Sequence, residues 1–231
     1  MPDLIALPYP HRPPAERARR PDTARTARGR GCGGGRMWWT AEVRAQVHAL
    51  DQAVFDAVAD TRTPSLDRLF VGVSRSVDHS RLWLLTAAVV ALGGGPRGRR
   101  AAGLGVLAVG LASAVTNAGL KPLAGRRRPI RSGRRAVLGA RRVRRPVSAS
   151  FPSGHTASAF AFASAMGETA PWTWLPLHAA AGAVGYARVH TGVHYPSDVA
   201  AGALIGALCG WTVRRVAARV PAGSCPRRRA P

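Results

Sequence analysis

Arginine and the apolar residues occupy different parts of this chain, and that segregation restricts its fold more than any single motif does. Of 231 residues, 33 are Arg and only Lys121 is lysine, giving a formal net charge of +23. The arginines gather in the first 45 residues, in 126–145 and at the C-terminus, and Ala, Val, Leu and Gly fill the stretches between. A mean hydropathy of −0.04 is therefore a cancellation between extremes. Net charge alone fits nucleic acid, anionic lipid or an anionic substrate equally well. The block pattern is that of membrane segments joined by charged connectors, with the bilayer as partner and no nucleic acid expected.

Four strongly apolar stretches carry the pattern: 82–95, 101–120, a half-polar pair at 156–167 and 174–187, and 199–213. Counting the pair separately gives five helices. A spanning helix needs about 20 apolar residues, so only 101–120 approaches that length unaided and the others must use their flanks. Gly- and Ala-rich runs such as A-A-G-A-L-I-G-A-L allow close approach of helices in lipid. Trp38, Trp39, Trp83, Trp172, Trp174 and Trp211 fall near segment ends, where an aromatic belt forms. Upstream, Val43, Val47, Leu50, Val54, Phe55 and Val58 recur at helical spacing over 41–59, and Leu66, Leu69, Phe70 and Val73 do so after Pro64. No useful strand-like alternation occurs. The expected fold is all-α: a polytopic membrane helical bundle with about five spanning helices plus N-terminal amphipathic helices. A soluble Ala-rich bundle is the competing reading.

Residues 1–36, with six prolines and a Gly/Arg run, are too poor in apolar surface to offset chain entropy and are expected to form a disordered tail. Met37 is a sensible start for the folded part, so the natural product is expected to begin there. Residues 37–220 form the membrane domain and 221–231 a basic tail. No secretory signal peptide is evident. Cys32, Cys209 and Cys225 are odd in number and widely spaced, which indicates neither a disulfide framework nor a zinc site; Cys209 is expected simply to pack.

Three stretches at the edges of apolar segments hold chemistry: K-P-L-A-G-R-R-R-P from Lys121, P-S-G-H from Pro152, and R-V-H-T-G-V-H-Y-P-S-D from Arg188. Phosphoryl transfer spreads negative charge over the equatorial oxygens, so it needs fixed cations and N–H donors. Lys121 and Arg128 can meet one anion through a turn at Pro122 and Gly125, and Arg188 would complete a three-cation cradle. Taken singly, each is an ordinary loop charge or headgroup contact. Pro152 suits the first position of a helix, whose unpaired first-turn N–H groups attract phosphate beside Ser153, Gly154 and His155. His155 can protonate a departing oxygen. Pro196 likewise suits a helix start. Asp198, four positions after His194, favours that first turn on dipole grounds alone, or else accepts a hydrogen bond that orients the His194 ring.

In this order, Lys-x6-Arg-Pro, Pro-Ser-Gly-His and Arg-x5-His-x3-Asp resemble the signature of the type 2 phosphatidic acid phosphatase superfamily, which includes bacterial acid phosphatases and vanadium haloperoxidases. The helical remainder is similar to its membrane-embedded lipid phosphatases. The resemblance implies His194 as nucleophile, Asp198 as its orienting partner and His155 as the acid that later activates water. Lys121, Arg128, Arg188, Ser153 and the Gly154 N–H would bind phosphate, with no metal and no other cofactor. His190 also lies in the third motif, but its spacing from Arg188 does not match. One departure is Ala187, where the family usually has Ser; the lost hydrogen bond is worth on the order of 1 kcal/mol.

A site at the ends of apolar helices suits an amphiphile whose tail stays in lipid, and so a lipid phosphate, either monoester or diphosphate. Prenyl-linked lipids are favoured over phosphatidic acid, because the stretch D-R-L-F-V-G-V-S-R-S-V-D-H-S-R-L-W resembles actinobacterial members acting on decaprenylphosphoryl-phosphoribose in cell-wall precursor synthesis. Rival readings are a vanadate-dependent haloperoxidase and a non-catalytic basic protein binding anionic lipid or nucleic acid. With five spans in the plasma membrane, the motif side carries 13 arginines before Leu82 and ten in 126–145, against nine opposite. Positive charge marks the cytoplasmic side, so this count favours a cytoplasm-facing site, whereas the resemblance implies an outward face as the alternative, since many bacterial members of that superfamily face outward.

Overall fold

The computed structural model describes residues 35–61, 63–77, 80–129, 143 and 148–219, with only the helical backbone described over 35–40. The expected C-terminal tail and nearly all of the N-terminal one lie outside these residues, as do Cys32, Cys225 and the side chains of Trp38 and Trp39. The chain divides into two units, Met1–Glu42 and Val43–Pro231. Of the first, only the opening of helix α1 is described.

The described residues form helices and loops, with no strand among them: α1 (Gly35–Asp60), α2 (Pro64–Ser76), α3 (Arg81–Gly93), α4 (Gly95–Ser113), a π-helical continuation (Ala114–Leu120), α5 (Lys121–Ala124), α6 (Gly154–Gly167), α7 (Trp174–His190) and α8 (Pro196–Arg219). Helix α6 is central and is packed by α4, α7 and α8, with α3 laid against α4 and α2 against α7. Small residues let α6 and α8 meet backbone to backbone. Ala157, Ala161 and Ala165 of α6 are fully buried beside Gly202, Gly206 and Gly210 of α8. A Cβ at Gly202 would lie 2.5 Å from the Ser153 carbonyl oxygen, and one at Gly210 would lie 2.7 Å from that of Ala161. On the other side of α6, Phe162 and Met166 pack with Trp83, Val90 and Leu177. Cys209 packs into the alanine cluster, as expected.

Among the described residues, two helices are long and apolar enough to cross a membrane: Gly95–Ala124, whose 18-residue apolar window has mean hydropathy 1.6, and Pro196–Arg219, whose window has 1.3. The expected five are not reached on this measure, for a geometric reason. Helices α3, α6 and α7 have 13, 14 and 17 residues, which at 1.5 Å per residue span roughly 20–26 Å against a hydrocarbon core of about 30 Å.

One further expectation is corrected. Trp83 is no belt residue: it is 2% exposed and its ring lies 5.4 Å from that of Phe162. In α1 the apolar stripe Val43, Val47, Leu50 and Val54 is exposed, whereas Asp51, Phe55 and Ala59 are buried. Asp51 turns inward because it has ionic partners there.

Candidate active site

Three loops, 125–129, 148–153 and 191–195, meet at one end of α6 and α8. After α5 the backbone adopts φ +55° at Gly125, which turns the chain back and brings Arg126 and Arg128 over the bundle. Gly192, at φ +73°, does the same after α7. There the Val193 and His194 N–H groups both donate to the Arg188 carbonyl, at 3.0 and 3.2 Å.

Arg128 is held largely by main-chain oxygens. It donates through Nε to the Ser148 carbonyl at 3.0 Å, through Nη1 to that of Val193 at 3.0 Å, and through Nη2 to that of Ala149 at 3.2 Å. Its Nη1 also lies 3.2 Å from His194 Nε2. A guanidinium only donates, so Nε2 is the accepting nitrogen, carrying the lone pair, and the ring proton sits on Nδ1. That Nδ1 faces Asp198 Oδ2 at 3.6 Å, beyond hydrogen-bond length. The expected orienting hydrogen bond is thus an approach rather than a bond, because Oδ2 already accepts from the Ser150 hydroxyl and from the Tyr195 N–H. Burial, reinforced by Arg128 and Arg188, lowers the His194 pKa to about 4 against the opposing pull of Asp198. The imidazole is therefore neutral across the ordinary pH range.

Asp198 Oδ1 accepts from Arg126 Nη1 at 2.8 Å, and the same guanidinium reaches Asp51 Oδ2 of α1 through Nη2 at 2.6 Å. Ser197 ties the pair together, since its N–H and hydroxyl donate to Asp51 while its Oγ accepts from Arg126. The guanidinium carbon sits 4.5 Å from the centre of the Tyr195 ring, an attractive cation–π placement. Burial opposes the charge on Arg126, but the bonds and charges of Asp51 and Asp198 outweigh it and raise its pKa. Sequence reasoning missed Arg126, Asp51, Ser150 and Ser197. Nothing in the sequence marks Arg126 out from its 32 fellow arginines.

Across the site, Lys121 Nζ donates to Asn117 Oδ1 at 2.7 Å, and Asn117 Nδ2 donates to Ser113 Oγ at 3.1 Å. A Cβ at Gly154 would come within 3.4 Å of both Asn117 Oδ1 and Lys121 Nζ, so the missing side chain keeps this corner open. Lys121, Gly154 and His155 line one cavity. His155 lies within electrostatic reach of Arg188, His194, Lys121 and Arg128. Arg188 is 2% exposed and its Nη1 donates to Ser74 Oγ at 3.0 Å. His190 is elsewhere, with its Nε2 2.8 Å from Asp67 Oδ1. Ala187 is fully buried in α7.

The Pro-Ser-Gly-His segment differs from expectation. Helix α6 starts at Gly154, with Ser153 extended at the cap position (φ −72°, ψ 105°) and Pro152 outside the helix. The Ser153 carbonyl accepts the Ala157 N–H, and its own N–H donates to the Asp198 carbonyl at 3.0 Å. Its hydroxyl, fully buried, pairs with that of Thr156 at 2.9 Å. Ser153 thus ties α6 to α8, and Gly154 and His155 line the cavity at the helix start. Among the described residues, no three His, Cys, Asp or Glu side chains converge as metal ligands.

Fold and site together define a helical bundle with an arginine- and histidine-lined site at one end. The sequence model of the PAP2 superfamily matches residues 102–221, and the chain belongs to that superfamily. Its fold resembles the transmembrane PAP2-type phosphatidylglycerolphosphate phosphatase of Bacillus subtilis, with a TM-score of 0.60 at 22% identity, covering 77% of this chain and 89% of that one. It also resembles Aquifex aeolicus LpxE, with a TM-score of 0.56 at 27% identity, covering 72% of this chain and 95% of that one. Over 69 residues it is 44% identical to the bacitracin transport permease protein BcrC of Bacillus licheniformis, a match covering 29% of this chain and 32% of that protein. The chain thus spans about a third of the length of the curated relative it matches. These relatives and the apolar helices make it a membrane protein.

Proposed function

We propose that this chain hydrolyses the phosphate of a membrane lipid through a phosphohistidine formed on His194. The observation that carries the reading is the state of the His194 ring: neutral, with its Nε2 lone pair turned to Arg128 and its Nδ1 proton turned to Asp198. An arriving phosphate competes for the Arg128 N–H, which uncovers the Nε2 lone pair next to phosphorus. The N–P bond forms as the bond from phosphorus to the leaving oxygen breaks, and His155 gives that oxygen its proton. Positive charge developing on the His194 ring is met by Asp198, and the equatorial oxygens are met by Lys121, Arg128, Arg188 and the first-turn N–H groups of α6. Water then attacks phosphorus, His155 takes its proton, and the N–P bond breaks to release phosphate. The cycle consumes one water and calls on no metal.

A lipid substrate is supported by the apolar helices beneath the site and by the similarity to a phosphatidylglycerolphosphate phosphatase. We read α3, α4 with its continuation, α6, α7 and α8 as five passes of a plasma-membrane protein, the shorter ones crossing with their flanks, and the motif loops as cytoplasmic by the arginine balance. The test is phosphate release from lipid phosphates by detergent-purified protein in excess EDTA, with trapping of acid-labile phosphoprotein. The wild type should release phosphate and label, and His194→Ala should do neither. Release that survives His194→Ala overturns the assignment.

A further inference from the structure

A polar chamber of about 200 Å³ opens beside Lys121 and His155, and the mechanism above gives most of its lining no work. Ser80, Ser113, Asn117 and Ser158 supply hydroxyl and amide groups to its wall, and Val77 and Trp83 close one side. Ser113 and Asn117 stand out because the helix that carries them, Gly95–Ala124, is apolar enough to cross a membrane, with an 18-residue window of mean hydropathy 1.6. Polar side chains in such a helix mark a ligand or a water-filled path. The helix also changes pitch here. Over Ala114–Leu120 it is π-helical, with the Lys121 N–H reaching back to the Thr116 carbonyl, a distortion found often at functional sites. It leaves Ser113, Asn117 and Lys121 linked side chain to side chain in a ladder that crosses Gly154. Ser80, at the wall, is the one described non-glycine residue with positive φ, 59°, and strain of that kind gathers at sites.

We propose that this chamber receives the leaving group, and that it is built for a hydroxyl-bearing linker standing between the scissile phosphate and the lipid. The assignment rests on the phosphatase reading above, because His155 protonates the leaving oxygen and His155 lines the chamber. Chemistry selects the polyol. Asn117 keeps one amide hydrogen and one carbonyl lone pair after its ladder bonds, and Ser113 and Ser158 each offer a hydroxyl. An esterified glycerol or a bare prenyl chain brings no hydroxyl to these groups, whereas a polyol linker hydrogen-bonds to them directly.

The experiment compares kcat/KM of the full chain in detergent on three probes: phosphatidylglycerol phosphate, which has a hydroxylated linker, phosphatidic acid, and farnesyl diphosphate. Wild type should favour the first by at least about tenfold, and Ser158→Ala and Asn117→Leu should each lower that preference severalfold. Asn117→Leu also disturbs Lys121, so the preference and not the absolute rate is the readout, and Ser158→Ala serves alone if Asn117→Leu fails to fold. Equal rates on the three lipids, or a preference unmoved by both variants, overturns the chamber assignment while leaving the phosphatase standing. No hydrolysis of any of them by wild type, or hydrolysis retained by His194→Ala, overturns the phosphatase and this inference with it.

Discussion

Substituting Gly202 with alanine tests whether the α6–α8 contact sets the geometry of catalysis. The added Cβ would lie 2.5 Å from the Ser153 carbonyl oxygen and 3.3 Å from the Cβ atoms of Ser153 and Thr156, where ordinary contact begins near 3.4 Å. The obstacle is backbone, so no rotamer relieves it and the two helices must part by about 1 Å. Overpacking of that kind costs about 1–3 kcal/mol. Helix α6 carries His155 and α8 carries Asp198, with the Ser153 N–H bonded to the Asp198 carbonyl across the seam. A displacement of about 1 Å between reacting groups costs on the order of a hundredfold in rate. Gly182→Ala in α7 is the control, since a Cβ there meets nothing within 4 Å and alanine is the better helix former by about 0.5–1 kcal/mol. The assay pairs kcat/KM for lipid phosphate release with thermal unfolding in the same detergent. Gly202→Ala should lose about two orders of magnitude in rate and unfold at lower temperature, and Gly182→Ala should match or exceed wild type in stability. A Gly202→Ala protein as active and as stable as Gly182→Ala would refute the claim that this seam positions the site.

Because the pKa of His194 is depressed to about 4, the acid limb of kcat/KM should fall near pH 4, and not near the ordinary value of about 6.5; a limb at 6.5 in wild type would contradict the neutral-ring assignment. The same depression means that the unfolded chain binds this proton first, so the stability His194 contributes is intact above about pH 6.5 and is lost as pH falls toward 4, which acid unfolding of wild type against His194→Gln measures. Arg126→Gln leaves Asp51 and Asp198 facing each other without their shared cation and should destabilise by about 3–5 kcal/mol; adding Asp51→Asn should recover part of the loss, and strict additivity in unfolding would show the three groups uncoupled.

Periodicity located the long helices among the described residues, because long apolar stretches bounded by Gly, Pro and Arg leave little choice of element, and the three spaced motifs singled out the loops that meet at one end of α6 and α8. The buried face of α1 was not legible. Its apolar stripe is exposed and Asp51 turns inward instead, drawn by Arg126 and by Ser197 far along the chain. Arg126 is invisible for the complementary reason: in a run of three arginines, only the fold decides which one meets two carboxylates. Ser153 has the residue type of a phosphate ligand, but its extended backbone sends the hydroxyl to Thr156. The Asp198 carboxylate is shared among Ser150, Tyr195 and Arg126, a competition among distant donors that no local spacing encodes.

The grip on Arg128 has a bearing on how such a site can diversify. Its guanidinium is fixed by the carbonyls of Ser148, Ala149 and Val193, atoms that every amino acid possesses. Substitution at these three positions leaves the anchoring oxygens in place so long as the loops keep their course. The opposite wall, with Ser113, Asn117 and Ser158, is made of side chains that a single codon change removes. Substitution on that wall thus leaves the main-chain grip on Arg128 untouched.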